Sequence, residues 1–328
     1  MTSGTTTSGD RRLAKPARIG LLWNPAAGAA KRRPELLQRI QDELALHAYR
    51  EAVTPEEVGE ALAQLAAQGV DTLIISGGDG TIQAVMSCLF AERPFDELPA
   101  VVLLPSGTTN MDARDIGVRG RPQRALTHLR RRGGPDLSGL TVRERPVLRI
   151  SHGSHCLHGF FFGTGLIAEA VDYFQNRIRR WSALGELGSL LASVRTLVSV
   201  LVRRREPIPM TLDWGDGRPR GGGWALVMMT SLERVLFRSR PYHAIGTGDG
   251  YLTAARYPLR RALTALMRER TAGDEAERRG LCSRRVDSLT LNMNGSYIVD
   301  GETYSANEGD GPVTVTIAEE RIRFLVPG

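Results

Sequence analysis

The run Asp71-Thr-Leu-Ile-Ile-Ser-Gly-Gly-Asp-Gly-Thr81 places reactive chemistry where a strand has to stop. Gly77, Gly78 and Gly80 let bare backbone N–H groups turn toward an anion, and a helix starting at Thr81 would add its positive N-terminal end. Asp79 in the same turn would repel a phosphate unless a divalent cation sat between them. A backbone cradle with a carboxylate therefore predicts a magnesium–nucleotide site. A plain tight turn from strand to helix would explain the glycines but not Asp79.

Two further turns carry similar groups. Asn24-Pro25-Ala-Ala-Gly28 and Pro105-Ser106-Gly107-Thr108-Thr109-Asn110 each offer backbone donors with short hydroxyl or amide side chains, suited to a phosphate or ribose. All three turns follow apolar runs that read as buried strands: Ile19–Trp23, Leu73–Ile75 and Ala100–Leu104. Between them the pattern predicts a helix over Pro34–His47, a short strand over Tyr49–Val53, and a helix from Thr54 to Gln68. That helix has Thr54 as N-cap, Pro55 in its first turn, Glu57 closing a capping box, and Gly69 as its stop. Another helix runs from the glycine turn to Phe90. Alternation of this kind implies a doubly wound parallel sheet, which binds ligands at the carboxyl ends of its strands.

From about Arg145 the pattern changes to strands, over 147–151, 156–162, 210–214, 224–229, 251–255, 288–292 and 313–317, interrupted by helices near 181–202 and 259–270. The fold class expected is α/β: an N-terminal parallel-sheet nucleotide-binding domain over 17–140, then a β-rich acceptor domain over 141–328, read as a β-sandwich. Gly133-Gly134-Pro135 marks the linker, the last strand is a candidate to return to the first domain, and residues 1–16 read as a disordered lead-in.

Composition bounds the function. The 328 residues are 41% hydrophobic and 24% charged, ordinary for a soluble globular protein, and the net charge of +7 favours anionic partners. Cys88, Cys156 and Cys282 lie far apart without metal-ligand spacing, which fits a reduced, cytoplasmic setting. No run reaches the ~18 apolar residues a membrane span needs. Nothing interleaves aromatic and basic residues as nucleic-acid binding would require.

The three turns, taken with the triplet Asp300-Gly301-Glu302, resemble the diacylglycerol kinase catalytic family, which includes bacterial soluble lipid kinases and sphingosine and ceramide kinases. The family's N-P-x-x-G, G-G-D-G-T, P-x-G-T-x-N and D-G-E motifs occur here in that order, and the resemblance covers about residues 17–328. It implies an ATP-binding α/β domain, a β-sandwich domain and an active site in the cleft between them. Asn24, Gly28, Gly77–Thr81, Gly107 and Asn110 would line the nucleotide site, with Thr54 and Thr108 as further ATP contacts. Glu302 would be the general base on the acceptor hydroxyl, and Asp79 the carboxylate that organises magnesium. Asp249 would hold a structural magnesium with the main-chain oxygens of Gly246 and Tyr251. Read without the family, Asp300-Gly301 is also an ordinary hairpin turn.

The implied activity is ATP- and magnesium-dependent transfer of a γ-phosphate to a diacylglycerol-like or sphingoid lipid, met at an anionic membrane surface; a homodimer is left open. The alternatives are an NAD kinase-like small-molecule kinase and a nucleotide-binding regulatory protein with little catalysis. Departures fall mainly in the acceptor half. Gln83-Ala84 replaces Asn-Glu, Leu166-Ile167 replaces Phe-Asp, and Thr230-Ser231-Leu232-Glu233-Arg234 stands where many members have an Asn and a glycine-rich turn. His152, His155 and His158 read as a solvated hairpin rather than a metal site. The segment 181–202, flanked by arginines, reads as packed against the β-rich domain with those arginines in solvent, a basic amphipathic element on anionic membrane being the alternative.

Overall fold

The apolar runs Ile19–Trp23, Thr72–Gly77 and Ala100–Pro105 become strands here because each is buried on both faces. The computed structural model describes residues 17–106, 116, 118, 122–169, 171, 207–233, 246–257 and 280–327. They divide into two units: the chain up to Arg145 with the segment from Arg321 onward, and Pro146–Glu320.

In the first unit, β1 (Ile19–Trp23), β2 (Leu46–Glu51), β3 (Thr72–Gly77) and β4 (Ala100–Pro105) are all parallel. Their order is β2-β1-β3-β4, and the end of the last strand, β15 (Val313–Val326), joins beside β4 through Phe324 opposite Val101. The sheet is crossed by α1 (Gly28–Arg32), α2 (Glu35–Glu43), α3 (Pro55–Ala67), α4 (Asp79–Ala91) and α5 (Pro122–Gly133). Leu73, Ile74 and Ile75 are essentially inaccessible, and each such side chain contributes about 1.5–3 kcal/mol of burial.

The start of α3 is as the sequence predicts. Thr54 Oγ1 accepts the Glu57 N–H at 3.3 Å, Glu57 Oε2 accepts the Thr54 N–H at 3.2 Å, and Gly69 past the other end sits at φ +70°. The preceding expectations need correction. The helix over Pro34–His47 ends at Glu43, and the strand assigned to Tyr49–Val53 begins at Leu46. Leu44 would continue the Leu36–Ile40 spacing, but its backbone turns extended (φ −121°, ψ 145°), and His47 Nδ1 accepts the Ile19 N–H at 3.2 Å, which ties this stretch to β1.

In the second unit the strands are antiparallel apart from the returning end of the chain. They are β5 (Thr141–His152, which starts in the first unit), β6 (His155–Gly159), β7 (Phe161–Gly165), β8 (Ile208–Asp213), β9 (Arg220–Thr230), β10 (Gly250–Arg256), β11 (Leu281–Val286), β12 (Ser288–Met293), β13 (Gly295–Val299) and β14 (Glu302–Ala306). Pairing runs β14-β13-β7-β9-β8-β12-β15, while β10 bridges β9 to β11 and β6 pairs with β5. Leu148, Phe162, Trp224, Val227, Leu291 and Val315 from these strands share one core cluster.

Three strands (β11, β13, β14) escaped the sequence reading, being short and without clean apolar–polar alternation. The run 156–162 is two strands, broken at Phe160. The helices assigned near 181–202 and 259–270 lie outside the described residues. The histidine hairpin exists, with its turn at Gly153 (φ +55°), but it is not solvated throughout: His152 is 3% and His158 4% exposed. Among the described residues all three cysteines are free.

Candidate active site

The carboxyl ends of β1, β3 and β4 are joined by a compact set of hydrogen bonds. Asn24 Nδ2 donates to Thr81 Oγ1 at 2.9 Å, and Asn24 Oδ1 accepts the Ala26 N–H at 2.9 Å, which shapes the turn after β1. The backbone continues the link: Asn24 N–H to Ser76 O at 2.9 Å, Ser106 N–H to Gly77 O at 2.9 Å, and Ala29 N–H to Ser106 O at 2.8 Å. Beneath them the buried hydroxyls of Ser76 and Ser106 share a hydrogen bond of 3.1 Å. Asn24, Gly28 and Gly77–Thr81 are thus one local arrangement within the first unit.

Glycine is needed at one of these positions for space alone. A Cβ on Gly77 would press within 2.5 Å of Thr81 Cβ, so the strand can run this close to the helix only without a side chain. A Cβ on Gly28 would meet Ser106 O at an ordinary 3.7 Å, so packing does not demand glycine there. Helix α4 begins after Gly78, which caps it with no side chain, and carries Asp79 in its first turn. A helix opened by glycine, preceded by a strand end with no Cβ, suits the close approach of a phosphate. Asp79 puts a carboxylate at that place, so magnesium bound with a nucleotide fits the groups present.

Thr54 lies at the end of β2, one strand over, where Ala52 N–H reaches Trp23 O at 3.0 Å. Its hydroxyl accepts the Glu57 amide as helix cap, the role that the capping-box pattern predicts. The same box holds the Glu57 carboxyl below the ordinary glutamate range, through the backbone N–H groups of Val53 and Thr54. Gly107, Thr108 and Asn110 lie outside the described residues.

The remaining predicted residues belong to the second unit. Glu302 opens β14 opposite Val299, with its side chain exposed. Between the two, Asp300 (φ +47°) and Gly301 (φ +95°) form the tight hairpin turn that the Asp-Gly dipeptide favours. Asp300 is not at the solvent-facing tip: it is 2% exposed, and its carboxylate accepts the N–H groups of Phe160 and Phe161. This anchor was missed. No local signal marks it; the space it occupies is left by Gly159, where an added Cβ would collide with Asp300 Oδ2.

Asp249 lies in the turn entering β10, where its N–H donates to Asp287 Oδ1 at 2.8 Å. Its carboxylate stands 3.9 Å from the guanidinium of Arg285, which also lies over the Tyr251 ring. A magnesium held by Asp249 and the carbonyls of Gly246 and Tyr251 would compete with that cation. Among the described residues no group of three or more His, Cys, Asp or Glu is placed to hold a metal. The donor set as it stands does not fit a resident ion.

Residues 18–137 match the diacylglycerol kinase catalytic domain. Over this segment the chain is similar to the diacylglycerol kinase catalytic family. It is 27% identical over 197 residues to a protein described as "Probable lipid kinase YegS-like" from an Enterobacter species, across 57% of this chain and 60% of that one. It is 31% identical over 107 residues to the "Diacylglycerol kinase" of Bacillus subtilis, across 31% of this chain and 33% of the relative. The matched stretches therefore cover less than two thirds of these relatives' length. The crystal structure of a diacylglycerol kinase from Bacillus anthracis str. Sterne superposes with a TM-score of 0.62 over 94% of this chain and 96% of that one, at 15% identity. That likeness establishes the two-domain mixed α/β fold.

Proposed function

We propose that this protein is an ATP- and magnesium-dependent lipid kinase that phosphorylates a hydroxyl of a diacylglycerol-like or sphingoid acceptor. The observation that carries the proposal is the joined turn set of the first unit, in which Asn24, Gly77, Thr81 and Ser106 bring three strand ends together around the uncapped start of α4. The likeness of the same segment to the diacylglycerol kinase catalytic domain supports the reading.

In this reading the amides at the start of α4 receive the phosphates of ATP, and Asp79 holds the accompanying magnesium in place. The magnesium supplies charge neutralisation at the phosphates. Glu302 takes the proton of the acceptor hydroxyl as its oxygen bonds to the γ-phosphorus. The bond from that phosphorus to the β,γ-bridging oxygen breaks, and ADP leaves with the electron pair. Phosphoryl transfer depends mainly on positioning and charge stabilisation, so a magnesium-organising carboxylate and a base are the essential parts.

The test is incubation of the purified protein with γ-labelled ATP and, separately, diacylglycerol, sphingosine and NAD. Label should enter a lipid. Asp79→Asn should lower the rate by about 10²-fold or more, the scale of a lost charge-stabilising group, with an unchanged melting temperature. Efficient labelling of NAD with none of lipid, or near-normal turnover in the variant, would overturn the proposal.

A further inference from the structure

We propose that Asp300 is a positioning residue for the transfer step, locking the hairpin that presents Glu302; the proposal rests on the role given to Glu302 above. Asp-Gly hairpin turns ordinarily leave the aspartate in water. Here its carboxylate is buried, which is costly unless hydrogen bonds compensate.

Compensation comes from one place in the chain. Asp300 Oδ1 accepts the Phe161 N–H at 2.8 Å, and the Phe160 N–H reaches Oδ1 at 3.1 Å and Oδ2 at 3.0 Å. The Asp300 N–H donates back to Phe161 O at 3.0 Å, so the turn is clamped through both side chain and backbone. The receiving corner is itself held. Phe160 O accepts the Thr230 hydroxyl at 2.8 Å and the Ser231 N–H at 3.0 Å, which fixes the corner to the end of β9. Gly159 leaves room for the carboxylate, and any side chain there would displace it.

The consequence falls on Glu302. Its side chain is exposed, so packing does not fix where it points; only its backbone can be held. That backbone is held by pairing with the inaccessible Val299 and by a turn of two left-handed residues, one of them an aspartate tied to a rigid corner. Fold stability alone would be served by a neutral turn with its tip in water. A buried carboxylate bound by two consecutive amides fixes a position at the expense of desolvation, and the residue two places on is the base.

Four variants test this: Asp300→Asn, which keeps one acceptor oxygen but removes the charge; Gly159→Ala, which displaces the carboxylate from the other side; Glu302→Gln; and the Asp300→Asn/Glu302→Gln pair. All are measured well below their melting temperatures, for lipid-phosphorylation kcat and for ATP affinity. Glu302→Gln should reduce kcat by about 10²–10⁴-fold with ATP affinity unchanged. Asp300→Asn and Gly159→Ala should each reduce kcat by roughly tenfold or more, also without changing ATP affinity, since about 1 Å of misplacement can cost that and more. The double variant should be no slower than Glu302→Gln alone.

If both Asp300→Asn and Gly159→Ala lowered only the melting temperature and kept kcat, Asp300 would be merely structural and the proposal overturned. Multiplicative losses in the double variant would equally overturn it, because Asp300 would then act independently of Glu302. Full activity in Glu302→Gln would instead remove the base assignment, and with it the role given to Asp300, while leaving the kinase reading standing.

Discussion

Gly77 and Thr81 show how one missing methyl group makes a binding turn. A side chain at 77 would drive into Thr81, whose hydroxyl accepts from Asn24 and so joins the turn after β1 to the turn after β3. Asp249 shows the reverse, a position where a family-implied ligand meets a competing charge. Arg285 stands 3.9 Å from its carboxylate, with both side chains about one third exposed, so the pair is screened by water and weak. Addition of magnesium should therefore raise the melting temperature only slightly beyond its effect through ATP. Arg285→Gln should enlarge the magnesium-dependent rise, and Asp249→Ala should abolish it. A large rise in the unaltered protein that Asp249→Ala removes would show that the ion displaces the guanidinium.

At the scale of elements, what was legible followed from periodicity and what was not followed from tertiary pairing. Strands β1, β3 and β4 were readable because continuous apolar runs bounded by glycine or proline have few other fates. The capping box of α3 was readable because Thr54, Pro55 and Glu57 interact within one turn. By contrast, β13 and β14 alternate weakly, and their existence depends on pairing with β7 and on an aspartate clamped to residues 139 and 140 positions away. Local sequence carries almost none of that. The solvation expected of the histidine hairpin failed for a similar reason: His152 and His158 lie on paired strands, and His152 packs edge-on at 6.2 Å from Tyr297, a residue far along the chain.

His158 gives this element a pH dependence. Burial, aided by the nearby Arg149 charge, lowers its pKa to about 4, whereas the unfolded chain titrates near 6.5. Its folded-state value is depressed, so the neutral ring's contribution is fully present above pH 6.5. That contribution is lost as pH falls toward 4, because the unfolded state then binds the extra proton. Across this window the unfolding free energy should decline with a slope of up to about 1.4 kcal/mol per pH unit from this group. Urea unfolding between pH 4 and pH 7 measures it. His158→Gln, whatever its own stability, should flatten the slope; an unchanged slope would assign the proton to another group.

For the molecule as a whole, net charge bears on how the water-insoluble acceptor proposed above would be met. No described helix is long and apolar enough to cross a membrane, yet a diacylglycerol-like or sphingoid substrate resides in one. Enzyme and acceptor would then meet at an interface, and the net charge of +7 supplies an attraction to anionic headgroups. Among the described residues, Arg124, Arg130, Arg131 and Arg132 lie exposed on α5. Arg177, Arg179 and Arg180 and the run Arg203–Arg205 lie outside the described residues. Each basic side chain near an anionic surface contributes about 1 kcal/mol, and the attraction fades within a Debye length of ~8–10 Å. Sedimentation with liposomes should therefore show binding that rises with the fraction of anionic lipid and falls between low and high salt. Replacing Arg203, Arg204 and Arg205 with Gln should weaken it without altering ATP affinity, since the nucleotide turns lie elsewhere in the chain. Binding that ignored both lipid charge and salt would exclude electrostatic docking and leave the acceptor to be captured by apolar contact alone.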